Sequence, residues 1–418
     1  MRIRTLLNKC HRFKSFVYKN ESMEIINDQE CLVVEIEPRK NSKPICANCG
    51  KPGNTYDHQP KPRYFEFIPI WGFVVYLSYV MRRVNCVDCG VKIEQVPWAR
   101  GKAQQTLAYQ VFLSRWARRL SWKEVADSFN TTWGKVYRAI QSMVEFGLKN
   151  RNLDGITAIG VDEIQFGKGH NYVTVVYQLD QGQKRLLHVT QGRSIKSFLR
   201  FFRMLGKERT AQIQYVCSDM WRAYLRVIKK KLPHALHILD RFHIVKKLNE
   251  AVDGVRKEET KEMKNKGFEP ILKSSKYCFL KNEENLTESQ QHKLNELLQY
   301  NLKTVRAYLL KESFQAYWQY LSPYWADRFL TLWCKRAMRS RLEPMKKFVK
   351  TVRRHQPLMM NWFKAKKIYS SGTVEGLNRK VNLVTRKSYG FKSYETLEIA
   401  LYHAMGGLPE PKLAHRFC

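Results

Sequence analysis

Between Ile156 and Asp240 the apolar pattern changes period in a fixed order, and that order restricts the fold more than any other feature. Three β-rich runs come first: 156–166, 171–179 and 184–190, joined through Gly167 and Gly169 and through Asp180-Gln-Gly182. Turn residues at those joints read as hairpins. The period then becomes helical over 194–205, with Phe198, Leu199, Phe202 and Leu205 apolar. A fourth strand (212–217) ends in Ser218-Asp219, a helix covers 221–231, and a fifth strand (235–239) ends in Asp240. Three hairpin strands followed by helix–strand–helix–strand predict one mixed sheet.

That is the order of the ribonuclease H-like fold, in which the first and fourth strands are neighbours. Asp162 on the first strand and Asp219 at the tip of the fourth would then converge at the sheet edge. Each also has a plainer role: Asp219 as a helix N-cap, Asp162 as an exposed strand end. The expected class is α/β, a ribonuclease H-like mixed sheet with an all-helical insertion, preceded by a small zinc-ribbon-like module and a helix-turn-helix domain.

Charge says what such a chain meets. The 418 residues carry 74 Lys and Arg against 37 Asp and Glu, a net +37. So one-sided a balance points to a polyanion, nucleic acid before an anionic membrane. With 44% hydrophobic and 12% aromatic residues the chain can bury substantial cores, which argues against disorder. No apolar core follows the basic N-terminus, so no signal peptide is expected. The most apolar run, 71–81, is too short to span a bilayer and reads as a strand. No Gly-Lys pair has a Walker A context, so no ATP is expected.

Four of the ten cysteines form two pairs, Cys46-Ala-Asn-Cys49-Gly and Cys86-Val-Asp-Cys89-Gly. Each pair places two thiolates on one knuckle, and two knuckles supply the tetrahedral donor set of structural Zn²⁺. Two disulfides, or four unrelated thiols, are the alternatives. Residues 64–84, turning at Pro69-Ile-Trp-Gly72, are expected to complete a ribbon between the pairs. Cys31 and His58 are possible substitute ligands. The other cysteines, at 10, 217, 278, 334 and 418, are scattered, with Cys217 in a strand core.

After the ribbon come three helical stretches. The first is 104–120. Ser121-Trp-Lys-Glu124 is a capping box opening the second. Asn130-Thr131-Thr132 makes a turn before the third, 133–148, with Val136, Ile140 and Val144 inward. The rhythm is that of a helix-turn-helix, and Lys135, Arg138 and Gln141 would face outward toward a major groove. A plain helical hairpin with a solvated basic face has the same pattern.

Late in the chain, Gly372-Thr-Val-Glu375 opens a helix with an apolar stripe of Val374, Leu377, Val381 and Val384. A Glu in a first turn suits the helix dipole without any further task. As a third carboxylate it would complete a metal cage with Asp162 and Asp219. Between Asp240 and Glu375 the sequence reads as helices: a capping box at Thr287-Glu-Ser-Gln290, then 314–321, 324–341 and 345–354, broken by Pro323 and Pro344. Its Trp318, Trp325 and Trp333 read as core, with base stacking as the alternative. Residues 335–392 hold seventeen Lys and Arg against Glu343 and Glu375, which favours a DNA-backbone channel around that glutamate, with Arg379, Lys380, Arg386 and Lys387 as contacts.

Together these stretches resemble the DDE transposases of bacterial insertion sequences, and most closely the ISL-three family, over nearly the whole chain. The resemblance rests on the cysteine knuckles, the helix-turn-helix, Gly160-Val-Asp162-Glu163, Ser218-Asp219-Met-Trp221, Asp240-Arg-Phe-His243, Ser371-Gly-Thr-Val-Glu375-Gly-Leu-Asn378 and the closing Arg386-Lys-Ser-Tyr-Gly390-Phe. A position that often carries Asn before the Glu is Gly372 here. The resemblance implies a transposase that binds the inverted repeats of its own element, then cleaves DNA and transfers strands. Asp162, Asp219 and Glu375 would be its catalytic acids, holding Mg²⁺ (or Mn²⁺), and Asp240 and His243 would match an Asp-x-x-His element near the site. Double-stranded DNA, as element ends and target, would be its partner. A homo-oligomer on DNA in the bacterial cytoplasm, at the nucleoid, is expected. The alternatives are a DNA-binding regulator with an inactive ribonuclease H-like domain and a structure-specific nuclease. The expected domains are 1–100 with the zinc module at about 44–98, 101–150 for DNA binding, 151–245 and 366–418 for catalysis, and 246–365 for the insertion.

Overall fold

The computed structural model describes residues 2–167, 169, 171–269, 271–367 and 371–413. Residues 368–370, just before the Glu375 helix, and Cys418 lie outside them. The chain divides into two compact units, Met1–Asn152 with Leu383–Cys418, and Leu153–Asn382.

In the first unit α1 (Ile3–Cys10) leads into a hairpin of β1 (Phe16–Ile26) and β2 (Gln29–Pro38). Its loop residues Asn27 and Asp28 have φ of 52° and 61°, the left-handed backbone that a two-residue hairpin turn requires and that Asn and Asp tolerate. Next come β3 (Asn54–His58), β4 (Arg63–Ile70), β5 (Phe73–Tyr79), β6 (Arg82–Cys86) and β7 (Gly90–Ile93). β4 and β5 turn at Trp71 and Gly72, both with positive φ, as the sequence predicts. The hairpin is not part of the cysteine ribbon, however. It joins a four-stranded sheet of order β1-β2-β5-β4, while β3, β6 and β7 form a separate three-stranded sheet. The reason is packing. Phe65, Phe67, Val75, Leu77 and Tyr79 bury into one core with Trp98, and only the flanking strands remain with the knuckles. This detour explains the long gap between the cysteine pairs.

Three helices follow: α2 (Leu107–Ala117), α3 (Trp122–Ser128) and α4 (Trp133–Asn150). The Ser121–Glu124 capping box is present, Asn130 is left-handed with φ 47°, and the Thr132 side chain caps α4.

The second unit is built on β8 (Ala158–Gln165), β9 (Tyr172–Gln178), β10 (Arg185–Gln191), β11 (Tyr215–Ser218) and β12 (Leu236–Leu239), with α5 (Ile195–Leu205), α6 (Lys207–Ala211) and α7 (Arg222–Lys231) between the later strands. The sheet order is β10-β9-β8-β11-β12. β8, β9 and β10 pair antiparallel, and β8, β11 and β12 run parallel. Phe198, Phe201, Phe202 and Leu205 of α5 pack with Ile159, Val161 and Val216 of the sheet.

β12 feeds directly into α8 (Arg241–Asn265), the first helix of the insertion. α9 (Lys276–Leu280), α10 (Glu288–Leu298), α11 (Lys303–Gln315), α12 (Pro323–Arg339) and α13 (Glu343–Lys364) complete it. Their shared core includes Leu248, Val252, Leu294, Phe314, Trp333 and Val349. α11 has no side-chain cap of its own. Buried Glu259 of α8 takes that role, accepting the Lys303 and Thr304 amides at 2.7 and 2.8 Å. Two expectations change here. The 314–321 stretch is the end of α11 and a 3₁₀ turn, Ala316–Gln319. α13 does not stop at Arg354 but carries Pro357 inside it, because burial of Met359, Met360 and Phe363 outweighs the lost backbone hydrogen bond.

α14 (Ser371–Lys387) starts in the second unit. α15 (Tyr394–Met405) belongs to the first, where its His403 lies 2.9 Å from Ser114 of α2. The boundary between the two units falls within α14, near Leu383.

Candidate active site

Register brings the first two carboxylates together. β8 and β11 are parallel with Ser218 opposite Val161, so Asp162, inside β8, and Asp219, just past the end of β11, come next on neighbouring strands. Asp162 is buried, 9% exposed. Its Oδ1 accepts the Glu163 amide at 2.8 Å and its Oδ2 accepts Nδ2 of Asn378 at 2.6 Å. Asn378 in turn accepts the Tyr177 hydroxyl at 2.8 Å. The start of α14 is thus fastened to the strand that carries Asp162. A glycine makes this possible, since a Cβ on Gly160 would stand 2.6 Å from Val374 Cγ2.

Asp219 accepts the Trp221 amide at 2.9 Å, a turn contact just before α7. Asp240 caps α8 by accepting the Phe242 amide at 2.7 Å, and its other oxygen lies 3.1 Å from His243 Nδ1. That hydrogen bond raises the His243 pKa, and the charges of Asp162 and Asp219 add to the shift. Burial pushes the Asp162 carboxyl up to about 6 and that of Asp219 up as well. Burial, and then repulsion from Asp219, carry Glu163 up to about 7. The sequence reading missed Glu163 as a site residue, because strand alternation assigns neighbours to opposite faces. Arg193 lies 3.6 Å from its Oε1, while its Oε2 is buried without a hydrogen-bond partner. An orphaned carboxylate oxygen beside two acids held above their usual pKa range suits a divalent cation.

Glu375 is half-exposed and bonds Arg379 of the next helical turn at 2.7 Å. With Gly372, Arg241, Phe242 and Trp318 it lines a hollow of about 370 Å³. The carboxylates do not close a cage. Among the described residues, only the four ribbon cysteines form a group of three or more His, Cys, Asp or Glu whose ligand atoms all lie within 4.8 Å. Lys380 is exposed. In the insertion Trp318 and Trp333 are buried and Trp325 is exposed.

The cysteines, in contrast, gather at one point. Cys49 Sγ and Cys86 Sγ are 3.5 Å apart, close to the ~3.8 Å between sulfurs that share a tetrahedral zinc with 2.3 Å bonds. Backbone amides of Cys49 and Asn48 hold the Cys46 thiol down to about 7, and Asn48 Nδ2 donates to Cys89 Sγ at 3.3 Å. Gly50 and Gly90, the residues trailing the knuckles, have φ of 72° and 68°. Cys31 is in β2 and His58 in β3, and neither belongs to the group. The donor set fits zinc.

On α4 the expected outward face is partly turned inward. Lys135 Nζ pairs with buried Glu66 of β4 at 2.8 Å, because a buried carboxylate needs a counter-charge. Arg138 and Gln141 line a hollow together with Lys135 and Glu66, and Arg138 is exposed. Near the end of α14, Arg386 is exposed, and half-buried Lys387 donates to the Arg118 carbonyl at 3.3 Å.

With this geometry in place, comparison with known proteins is decisive. A family model for DDE transposases of the ISL3 type, described as transposase, matches residues 159–401. A second, described as the zinc-finger of transposase IS204/IS1001/IS1096/IS1165, matches residues 42–89. The chain belongs to the ISL3 transposase family. Relatives of this transposase include that of insertion sequence element IS1001 from Bordetella parapertussis, 26% identical over 87% of this chain and 89% of the relative. Another is that of IS1557 from Mycobacterium tuberculosis, 29% identical over 88% of this chain and 86% of the relative. The DDE match starts on β8 and ends in α15, so it takes in Asp162, Asp219, Asp240, His243 and Glu375. The ribbon match contains all four cysteines. Among the described residues no helix is long and apolar enough to cross a membrane.

Proposed function

We propose that this transposase binds the terminal inverted repeats of its insertion sequence, cleaves the element ends and joins the freed 3′-hydroxyl to target DNA. The reading is carried by Asp162 inside β8 and Asp219 just past the end of the parallel neighbour β11, with α14, the helix of Glu375, tied to Asp162 through Asn378. The strand order β10-β9-β8-β11-β12 favours a ribonuclease H-like domain interrupted by the helical insertion. Asp162, Asp219 and Glu375 are the residues to hold Mg²⁺ (or Mn²⁺), and Glu163 stands beside them. When bound, such ions activate the attacking water or 3′-hydroxyl and stabilise the leaving oxygen. His243, kept basic by Asp240, is placed to hold a proton near the same carboxylates.

The ribbon, with Zn²⁺ on Cys46, Cys49, Cys86 and Cys89, is a structural module. α3 and α4 act as a helix-turn-helix presenting Arg138 and Gln141, with Lys135 shared between DNA and Glu66. Arg379, Lys380, Arg386 and Lys387 contact phosphates, and the net charge of +37 makes that grip salt-sensitive. Two ends must be paired, so the protein works as a homo-oligomer on double-stranded DNA, at the nucleoid.

The test is an assay with a labelled duplex element end, a target plasmid and Mg²⁺. Target joining supports this reading. Cleavage alone would mean a nuclease, and binding alone a regulator. Asp162→Ala should bind the end without cutting it; a variant that still cuts overturns the site assignment.

A further inference from the structure

In the first unit, the starts of α3 and α4 and the loop after α14 enclose an open hollow of about 830 Å³. Its lining pairs aromatic rings (Trp122, Trp133, Tyr389) with cations (Arg386, Lys392). Trp133 is 45% exposed. One face of its indole is stacked on Tyr137, with centroids 5.4 Å apart and the rings 7° from parallel, and Trp122 supports it at 5.9 Å. Tyr389 is 99% exposed. It has φ +53° at the end of α14, where Gly390 N–H closes back onto the Thr385 carbonyl at 2.9 Å. Helix ends of this kind favour Gly or Asn, since other side chains are strained in the left-handed region. A tyrosine there costs stability, and its exposed ring recovers none by burial. Strain that the fold does not need points to a ligand. Among the described residues Arg386 and Lys392 form no ion pair. The acid in the lining, Glu124, is engaged in the Ser121 capping box.

We propose that this hollow binds an unpaired nucleotide of a DNA single strand, with the base stacking on Trp133 and Tyr389 and the phosphates meeting Arg386 and Lys392. Flat rings set among cations recognise single strands, because an unpaired base exposes the π-face that a duplex hides. The proposal rests on the transposase reading and adds to it a base-stacking site for a single strand, next to the phosphate contacts and sharing Arg386 with them.

The test uses the full-length protein and fluorescence anisotropy with three labelled probes: an oligothymidylate, an abasic deoxyribose-phosphate strand of equal length, and a blunt duplex of the element end. The abasic strand should bind about tenfold more weakly than the oligothymidylate. Tyr389→Gly should weaken oligothymidylate binding about tenfold, leave duplex binding unchanged and raise Tm, since it relieves the strained backbone. Tyr389→Ala should weaken the single strand in the same way without the full gain in Tm. Equal binding of the abasic strand would reduce the hollow to a charge patch and overturn the proposal. So would wild-type affinity for oligothymidylate in both variants, or an equal loss for duplex and single strand. Wild-type protein that binds the duplex end but no oligothymidylate sinks this proposal alone. Protein that binds oligothymidylate but no element end sinks the inverted-repeat reading instead.

Discussion

The four cysteines and the acids of the proposed active site are both candidate metal sites, and they are built in opposite ways. Each cysteine pair sits on one tight knuckle, and at the first of them backbone amides already face the Cys46 sulfur, so local backbone brings the donors of a pair together. The acids come from β8, the end of β11, the start of α8 and α14; the tertiary fold gathers Asp162, Glu163, Asp219 and Asp240, while Glu375 pairs with Arg379 on its own helix. The ribbon is an assembled ligand set. The candidate active site keeps acids at raised pKa, an orphaned Glu163 oxygen and a Glu375 paired with Arg379. A structural site gains by satisfying every donor beforehand, whereas a catalytic one must leave capacity for its substrate and ions.

The largest expected effect lies on the assembled side. Metal binding in small zinc modules supplies roughly 10 kcal/mol of folding free energy. Cys86→Ser should therefore release zinc, measured with a chromogenic chelator, and abolish hydrogen-exchange protection in β3, β6 and β7. Protection in β8–β12 should remain. Retained protection in β6 would show that the ribbon folds without its metal. On the other side, Glu375→Gln should abolish cleavage of a labelled end at any Mg²⁺ concentration. Glu163→Gln should raise the Mg²⁺ requirement by about ten- to hundredfold, as loss of a supporting ligand does, with activity restored at saturation. The reverse pattern would make Glu163 the third catalytic acid.

Two glutamates, Glu94 buried and Glu163 partly so, carry the comparison from metals to protein charges. Glu94 follows β7 and is fully engaged: its oxygens accept from Arg82 Nε and Nη2 at 3.0 and 2.8 Å, from the Arg82 amide at 2.8 Å and from the Tyr79 hydroxyl at 2.5 Å. Glu163 is buried to a lesser degree and half satisfied. Removing one partner of a buried ion pair costs about 3–5 kcal/mol. Glu94→Ala should lower the urea midpoint accordingly, while Glu163→Gln should leave it unchanged or higher. Equal losses would mean that Glu163 serves stability rather than a bound cation.

What was legible in the sequence follows the same division. The cysteine spacing, the Ser121 and Thr287 capping boxes, the Asn130 turn and the order of β8 to β12 are local or periodic signals, and each reads directly. The β1–β2 hairpin could have been found from Asn27-Asp28 between two β-rich runs. The placement of β4 and β5 could not, because which sheet a hairpin joins depends on long-range packing around Trp98. The Lys135–Glu66 pair was hidden for the same reason. For the acids, the sequence marks Asp162 by its place on the first strand and Asp219 by its place at the tip of the fourth. It says nothing of the Asn378 bond or the Gly160 approach that draw α14 onto β8.

The smallest effect concerns a buried base rather than an acid. His237 on β12 lies 2.7 Å from Ser218 Oγ through Nε2, and its carbonyl accepts Asn361 Nδ2 at 2.7 Å. Burial holds its imidazole down to about 4, with the charge of His355 adding to the shift, against 6.5 in an unfolded chain. Below pH 6.5 the unfolded chain therefore takes up a proton that the folded one refuses. The resulting stabilisation is complete above 6.5 and is lost as pH falls from there through 4, up to about 3 kcal/mol in all. Urea midpoints across that interval should fall more steeply for the wild type than for His237→Gln, which has no imidazole to protonate. Since the other titrating groups are common to both proteins, the difference between the two slopes isolates His237. Parallel slopes would mean that the imidazole accepts its proton in the folded state, and that the Ser218 contact tolerates a charged ring.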